Sequence, residues 1–196
     1  LQCYKDEGFD HVAVNPCSEL SLSAADACRL ISINVSSFVN GKDFNWELFE
    51  SVVRKSIRLS DDLIDLESEK LSQMIDGEDD KAVRSLVSKL RHSATKGRRI
   101  GLGTHGLADL FIKLGMVYGS HHSIEFAQTL YNRFKNFAYS ESINLAKERG
   151  FFPIFNWDKE KDNTFILSLD NDIQDELSKH GRRNGAMLTI APTGTV

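Results

Sequence analysis

Residues 187–196 read Met187-Leu-Thr-Ile-Ala-Pro-Thr-Gly-Thr-Val196, the pattern of a strand entering a tight loop. Apolar and β-branched residues carry the chain to Ala191, and Pro192 and Gly194 then break it. The strand is predicted from about Gly185 to Ala191. Short extended stretches also stand at His11-Val-Ala-Val14 and Ile100-Gly-Leu-Gly103, and Leu30 to Val39 alternates through Ile31, Ile33 and Val35. Ala24 to Cys28 reads as a helical turn and Asn40-Gly41 as a turn. Long amphipathic helices fill the intervals. Asn45 is placed to cap one whose stripe is Phe49, Val53, Ile57, Ile64 and Leu71. Its carboxylates, Asp61, Asp62, Asp65 and Glu67, are expected to point mostly outward. A second helix is predicted from about Lys81 to His92. Thr104 is a candidate cap for a third through Leu114. Ser120 is one for a fourth to Arg149, lined by Ile124, Ala127, Tyr131, Phe134, Ala138 and Leu145 and stopped by Gly150. Residues 151–161 read as a loop, and a last helix falls near Asn171–Lys179. Strands this few cannot close a sheet, so the alternation predicts part of an α/β layered or barrel fold, one domain over residues 1–196.

The composition narrows the function. The chain has 196 residues, 41% hydrophobic and 27% charged, values of a globular protein rather than a disordered or fibrous one. The formal net charge of -4 shows no basic excess, which argues against direct nucleic-acid binding. No apolar run reaches the ~20 residues of a membrane span. An odd count of three cysteines, Cys3, Cys17 and Cys28, is not a disulfide scaffold, and a reducing, cytoplasmic setting is expected. The chain starts at Leu1 and stops just after a strand, which reads as an excerpt of a longer protein.

Four places could carry chemistry. Asn15-Pro-Cys-Ser-Glu19 sets an amide, a thiol and a carboxylate at alternate positions of a short loop. Such a thiol serves as nucleophile, metal ligand or hydrogen-atom carrier, and the carboxylate as a general base; a buried cysteine in a turn is the bland alternative. Cys28 is too far from Cys17 for a zinc knuckle, and His105, His121, His122 and His180 have no ligand spacing, so no metal is expected. Gly101-Leu-Gly-Thr-His-Gly106 matches a dinucleotide fingerprint, but the residues before it are polar and basic, and glycines allowing close packing explain it better. Pro192-Thr-Gly-Thr195 offers free N–H groups and hydroxyls, a phosphate cradle if a helix follows. Arg182-Arg183 could meet phosphate but is expected to be a surface pair.

Together these segments resemble the large catalytic chain of ribonucleotide reductase, in its adenosylcobalamin-dependent type. The resemblance runs through Asn15–Glu19, Ser60–Glu67, Gly97–Gly103, Ala146–Pro153 and Gly181–Thr195. It implies a ten-stranded α/β barrel, incomplete in this chain, with a central finger loop near 15–28 and a phosphate loop near 192–195. It implies that Cys17 carries a thiyl radical and that Glu19 takes the substrate's 3′-hydroxyl proton. Asn15 would bind the sugar hydroxyls, with Ser18 beside it. Cys28 would be one of a redox pair, and Pro192, Thr193, Gly194 and Thr195 would bind phosphates. The implied cofactor is adenosylcobalamin. The implied partners are a ribonucleotide, a dithiol reductant such as thioredoxin, and the missing segments of the barrel. The diiron-dependent class of the same enzyme and a non-catalytic relative are the alternatives.

Overall fold

The computed structural model describes residues 2–194. A parallel pair forms its centre: β3 (Leu30–Asn34) beside β6 (Gly101–His105), in register from Leu30↔Gly101 to Asn34↔His105. Two hairpins flank β3 in sequence. β1 (Ala13–Val14) pairs with β2 (Ser21–Leu22), and β4 (Val39–Asn40) with β5 (Asp43–Phe44) around the Asn40-Gly41 turn. On the far side of β6, Leu102 bridges Leu188 in parallel. The predicted strand at 185–191 is therefore a single bridge. Its chain runs beside the start of β6: Ala186 O and Met187 O accept from Ile100 N–H and Leu102 N–H at 2.9 and 2.7 Å, Thr189 N–H donates to Leu102 O at 3.1 Å, and the Thr189 carbonyl then passes over Gly103. The described sheets do not close into a barrel.

Parallel strands require a crossover, and helices supply it. α1 (Trp46–Gly77) starts where Asn45 Oδ1 accepts from Leu48 N–H at 2.9 Å. α2 (Lys81–Gly97) starts under the Asp80 side chain and runs past His92 to Arg98, which takes a left-handed conformation at φ 41° and turns the chain into β6. α3 (Leu107–Leu114) follows β6 directly. Thr104 does not cap it: Thr104 lies inside the strand, buried, with its hydroxyl 3.0 Å from Tyr131 Oη, and Gly106 stands at the cap. α4 (His121–Arg149) is capped by Ser120 and stopped by Gly150. Ile124 is exposed on it, in the first turn, before the helix reaches the core. The loop at 151–161 holds a short α5 (Trp157–Glu160), and α6 (Asn171–His180) closes the order. Ala24–Cys28 is no helical turn, because Ala25 sits at φ 56°.

One side of β3 and β6 faces these helices. Ile33 and Leu102 join Phe49, Val53, Ile57 and Ile64 of α1 and Leu130, Phe134 and Ala138 of α4 in one core. The other side carries Leu30, Ser32, Gly101, Gly103 and His105, the alternate set of positions. A second cluster gathers Tyr4, Phe9, Phe152 and Ile154, so the polar N-terminal stretch is anchored by two aromatics.

Polar groups stitch the core together. Asp61 is fully buried, not outward, because Arg98, Arg149, Arg183 and Asn184 all reach it. Arg182 is not at the surface either: it is buried against Glu160, with Nη2 2.7 Å from Oε1. Arg183 is the half-buried member of that pair, held on Asp61 Oδ2 at 3.2 Å.

Candidate functional site

The loop between β1 and β2 is a hairpin tip. Asn15 O accepts from Ser18 N–H at 2.9 Å, closing a β-turn with Pro16 and Cys17 at its two central positions. Proline presets the backbone of the first of these, so the sequence fixes Cys17 at the apex. Asn15 Oδ1 accepts from Leu20 N–H at 3.1 Å and closes the loop a second time. Ser18 takes the left-handed region at φ 62°. The segment is thus a turn and not the extended stretch that alternation assumed. Cys17 is a free, exposed thiol, whereas the Glu19 carboxylate is buried.

Glu19 has an unusual environment. Neither Oε1 nor Oε2 accepts a hydrogen bond from any described residue. A buried polar atom without a partner costs about 1–3 kcal/mol, and more if charged. Its backbone is held from the other side, since Thr189 Oγ1 donates to Glu19 O at 3.1 Å. The tip is therefore tied to the segment that follows the Leu102–Leu188 bridge.

Cys28 lies just before β3, on the side of the sheet away from the helices. Burial pushes its thiol up to about 11; Arg99 and Arg29 pull the other way, and the nearby Glu19 adds to the rise. So Glu19, Cys28 and Thr189 meet over Gly101 and Gly103, while Cys17 stands out at the tip. Pro192, Thr193 and Gly194 are irregular and partly to fully exposed, and Thr195 lies outside the described residues.

Two features around Cys28 escape a reading by motif. Arg99 Nε bonds Asp26 Oδ2 at 2.8 Å with both side chains buried, and Arg29 Nε bonds Glu67 Oε2 at 2.5 Å. The signal in the sequence is the pair Arg98-Arg99 ahead of a glycine strand, too basic to be a lead-in to a buried strand unless it is neutralised. A cavity of about 360 Å³ is lined by Cys3, Tyr139, Glu160, Arg182 and Met187 among others and includes none of Cys17, Glu19 and Cys28. Among the described residues no group of three or more His, Cys, Asp or Glu is placed to hold a metal ion, and no helix is long and apolar enough to cross a membrane.

A free thiol on a hairpin tip, an orphaned carboxylate behind it and a second thiol beneath are set in a frame that known proteins share. Residues 10–196 match the ribonucleotide reductase barrel domain family. The chain belongs to that family. Among its relatives, the vitamin B12-dependent ribonucleoside-diphosphate reductase of Mycobacterium tuberculosis is 32% identical over 184 residues, covering 94% of this chain and 22% of that protein. The enzyme of the same description from Thermoplasma acidophilum is 30% identical over 191 residues, covering 95% and 20%. The ribonucleoside-diphosphate reductase subunit alpha of Chlamydia pneumoniae is 26% identical over 217 residues, covering 95% and 19%. The chain therefore spans about a fifth of the length of the curated reductases it matches. The solved Actinobacillus ureae class Id ribonucleotide reductase alpha subunit superposes with a TM-score of 0.60 at 21% identity, over 99% of this chain and 31% of that one, which shows a shared fold.

Proposed function

We propose that this chain carries the radical and redox residues of an adenosylcobalamin-dependent ribonucleotide reductase, and that residues 1–196 are part of one catalytic barrel domain. The observation that carries the reading is Glu19: a buried carboxylate without a donor, beside Cys28 and behind the Cys17 tip. A substrate hydroxyl is the missing donor. In the proposed reaction a Cys17 thiyl takes the 3′ hydrogen atom of the ribose and Glu19 takes the 3′-hydroxyl proton. The 2′-hydroxyl leaves as water. Cys28 and a partner thiol outside these residues give up two electrons and two protons and become a disulfide. Cys17 then returns its hydrogen atom to the 3′ carbon, and a dithiol such as thioredoxin reduces the disulfide. Asn15 and Ser18 orient the sugar, and Pro192, Thr193, Gly194 and Thr195 hold the phosphates. Exposed Val12, Val14, Leu30 and Ile190 fit contact with further strands of the same barrel. Three free cysteines suit a reducing cytoplasm.

The chemistry that the cobalamin supplies when bound is a carbon-centred radical, and a free, exposed thiol at a turn apex fits loss of its hydrogen atom to such a radical. Relatives named vitamin B12-dependent support this class. They align over 184 and 191 residues, whereas the Chlamydia pneumoniae alignment needs 217 positions, more than this chain has, and so must open gaps. The diiron-dependent class, in which a separate subunit supplies the radical, is the second reading, and a relative named as a subunit alpha fits it.

The test is nucleotide reduction by the full-length enzyme containing these residues, with a dithiol, with and without adenosylcobalamin. Cobalamin-dependent product that disappears in Cys17→Ala is expected. Product only with a separate radical-supplying subunit transfers the chain to the diiron class. Product from Cys17→Ala overturns the radical role.

A further inference from the structure

The Gly-x-Gly of β6 lies inside a paired strand and makes no turn. We infer that Gly101 is the positioning residue for the Cys28 sulfur: an empty side-chain site that seats it. The inference rests on the redox role proposed for Cys28.

A Cβ built on Gly101 would stand less than 3.0 Å from Cys28 Sγ. No side chain other than hydrogen leaves that space open. It would also meet Leu30 Cδ2 at 2.7 Å and Thr189 Cγ2 at 3.0 Å. Leu30 can turn its methyl aside, since it is the end of a flexible side chain with an exposed neighbourhood. Cys28 has less freedom. Its chain neighbours are pinned on both sides. Asp26 is held by Arg99 Nε at 2.8 Å, with both side chains buried. Arg29 Nη1 donates to Ala27 O at 3.0 Å and to Arg99 O at 3.2 Å, its Nε holds Glu67, and its own carbonyl accepts from Gly101 N–H at 2.8 Å. With the backbone fixed, the one coordinate left to Cys28 is rotation about its Cα–Cβ bond. A methyl at position 101 therefore does not push the strand away; it swings the sulfur out of place. Gly103 makes a second seat in the same way, for the Thr189 carbonyl, and that carbonyl belongs to the segment holding Glu19. The two glycines, two residues apart on one face of β6, thus leave room for the Cys28 sulfur and for the Thr189 carbonyl.

The experiment compares wild type, Gly101→Ala, Cys28→Ala and the double variant in the full-length enzyme. Turnover is read with dithiothreitol as reductant, disulfide at Cys28 by differential alkylation and mass spectrometry after one turnover without reductant, and stability by urea unfolding. Gly101→Ala is expected to leave KM within about twofold and to cut kcat about 100-fold, the size of a misplacement near 1 Å. It should form correspondingly less Cys28 disulfide. Its loss of stability should shrink when Cys28 is also alanine, because the clashing sulfur is gone. Wild-type kcat in Gly101→Ala alongside an inactive Cys28→Ala overturns the seat while leaving the redox role standing. Dithiol-driven turnover by Cys28→Ala defeats the redox role itself. Additive stability effects of the two changes overturn the seat whatever the activities are. If Gly101→Ala fails to fold, recovery of folding in the double variant supports the seat and continued failure overturns it.

Discussion

Asp61 Oδ1 accepts two hydrogen bonds from Arg98, from Nε at 2.9 Å and from Nη2 at 2.6 Å, with both side chains buried. The same carboxylate takes Asn184 Nδ2 at 3.0 Å, and Arg183 and Arg149 on its other oxygen at 3.2 and 3.3 Å. Arg98 is the residue that turns α2 into β6, and Arg183-Asn184 leads into the segment that bridges Leu188 to Leu102. One carboxylate on α1 thereby fixes the entry points of both neighbouring strands. Removing it leaves three guanidinium groups around a neutral site. Asp61→Asn should destabilise by about 3–5 kcal/mol, the usual cost of breaking a buried pair from one side. Asp62→Asn, one residue on but exposed, should stay within about 0.5 kcal/mol. Urea unfolding of the two variants tests this, and equal midpoints would rule out the hub.

What the sequence revealed about the fold follows the range of the forces involved. The Asn45 and Ser120 caps, the Gly150 stop and the Asn40-Gly41 turn are set by residues a few positions apart, and all were readable. Asp61 was not. Periodicity treats a carboxylate as solvent-facing, and its partners arrive from α2, α4 and the 182–184 segment, out of any local window. A trace was present, because Asp61 falls four residues after Ile57, on the apolar stripe itself. Thr104 was misplaced for a related reason: a hydroxyl before a helix looks like a cap, yet its partner is Tyr131 on α4. At the candidate site the motif named Cys17 and Glu19, while the hold on the Glu19 carbonyl comes from Thr189, 170 positions away.

Glu19 should trade stability against turnover. Its two oxygens are buried and unpartnered, so in the absence of substrate the charge works against folding. Glu19→Gln keeps the shape and removes the charge. The variant should unfold at higher urea than wild type and lose about 10²–10⁴-fold in turnover, the range of a missing general base. A variant that is both less stable and fully active would show that the carboxylate has a structural partner instead.

The cysteines should separate by pH. Burial pushes Cys28 up to about 11 from an ordinary 9.0, so its reactive thiolate is scarce at neutral pH. At pH 8 its alkylation should run about 100-fold slower than that of an ordinary thiol, two units of pKa being about that factor. Cys17, exposed at the tip, should label first. The sign for stability follows: the neutral thiol is the folded form's preference, so its contribution is complete below pH 9.0 and fades as pH rises through about 11. Cys28→Ala should flatten stability over that interval, and a pH profile unchanged by the substitution would contradict the burial assigned to the sulfur.

Tyr4 makes the corresponding case at the second cluster. It is fully buried, donates its hydroxyl hydrogen to Glu160 Oε1 at 2.6 Å and accepts from Asn156 N–H at 3.0 Å. Burial, and then the Glu160 carboxylate, hold its hydroxyl well above the ordinary tyrosine range. Glu160 keeps Arg182 in Tyr4→Phe, but the Asn156 amide loses its acceptor, so the variant should be less stable at pH 7 by about 1–3 kcal/mol. The folded form favours the protonated hydroxyl. Its contribution is therefore complete below the ordinary tyrosine value of about 10 and declines as pH climbs past it. Phenylalanine does not titrate, so the gap between wild type and Tyr4→Phe should narrow above pH 10 in urea unfolding series. A gap that stays constant or widens would mean that the hydroxyl ionises as easily folded as unfolded, which its place between Glu160 and a ring of buried aromatics forbids.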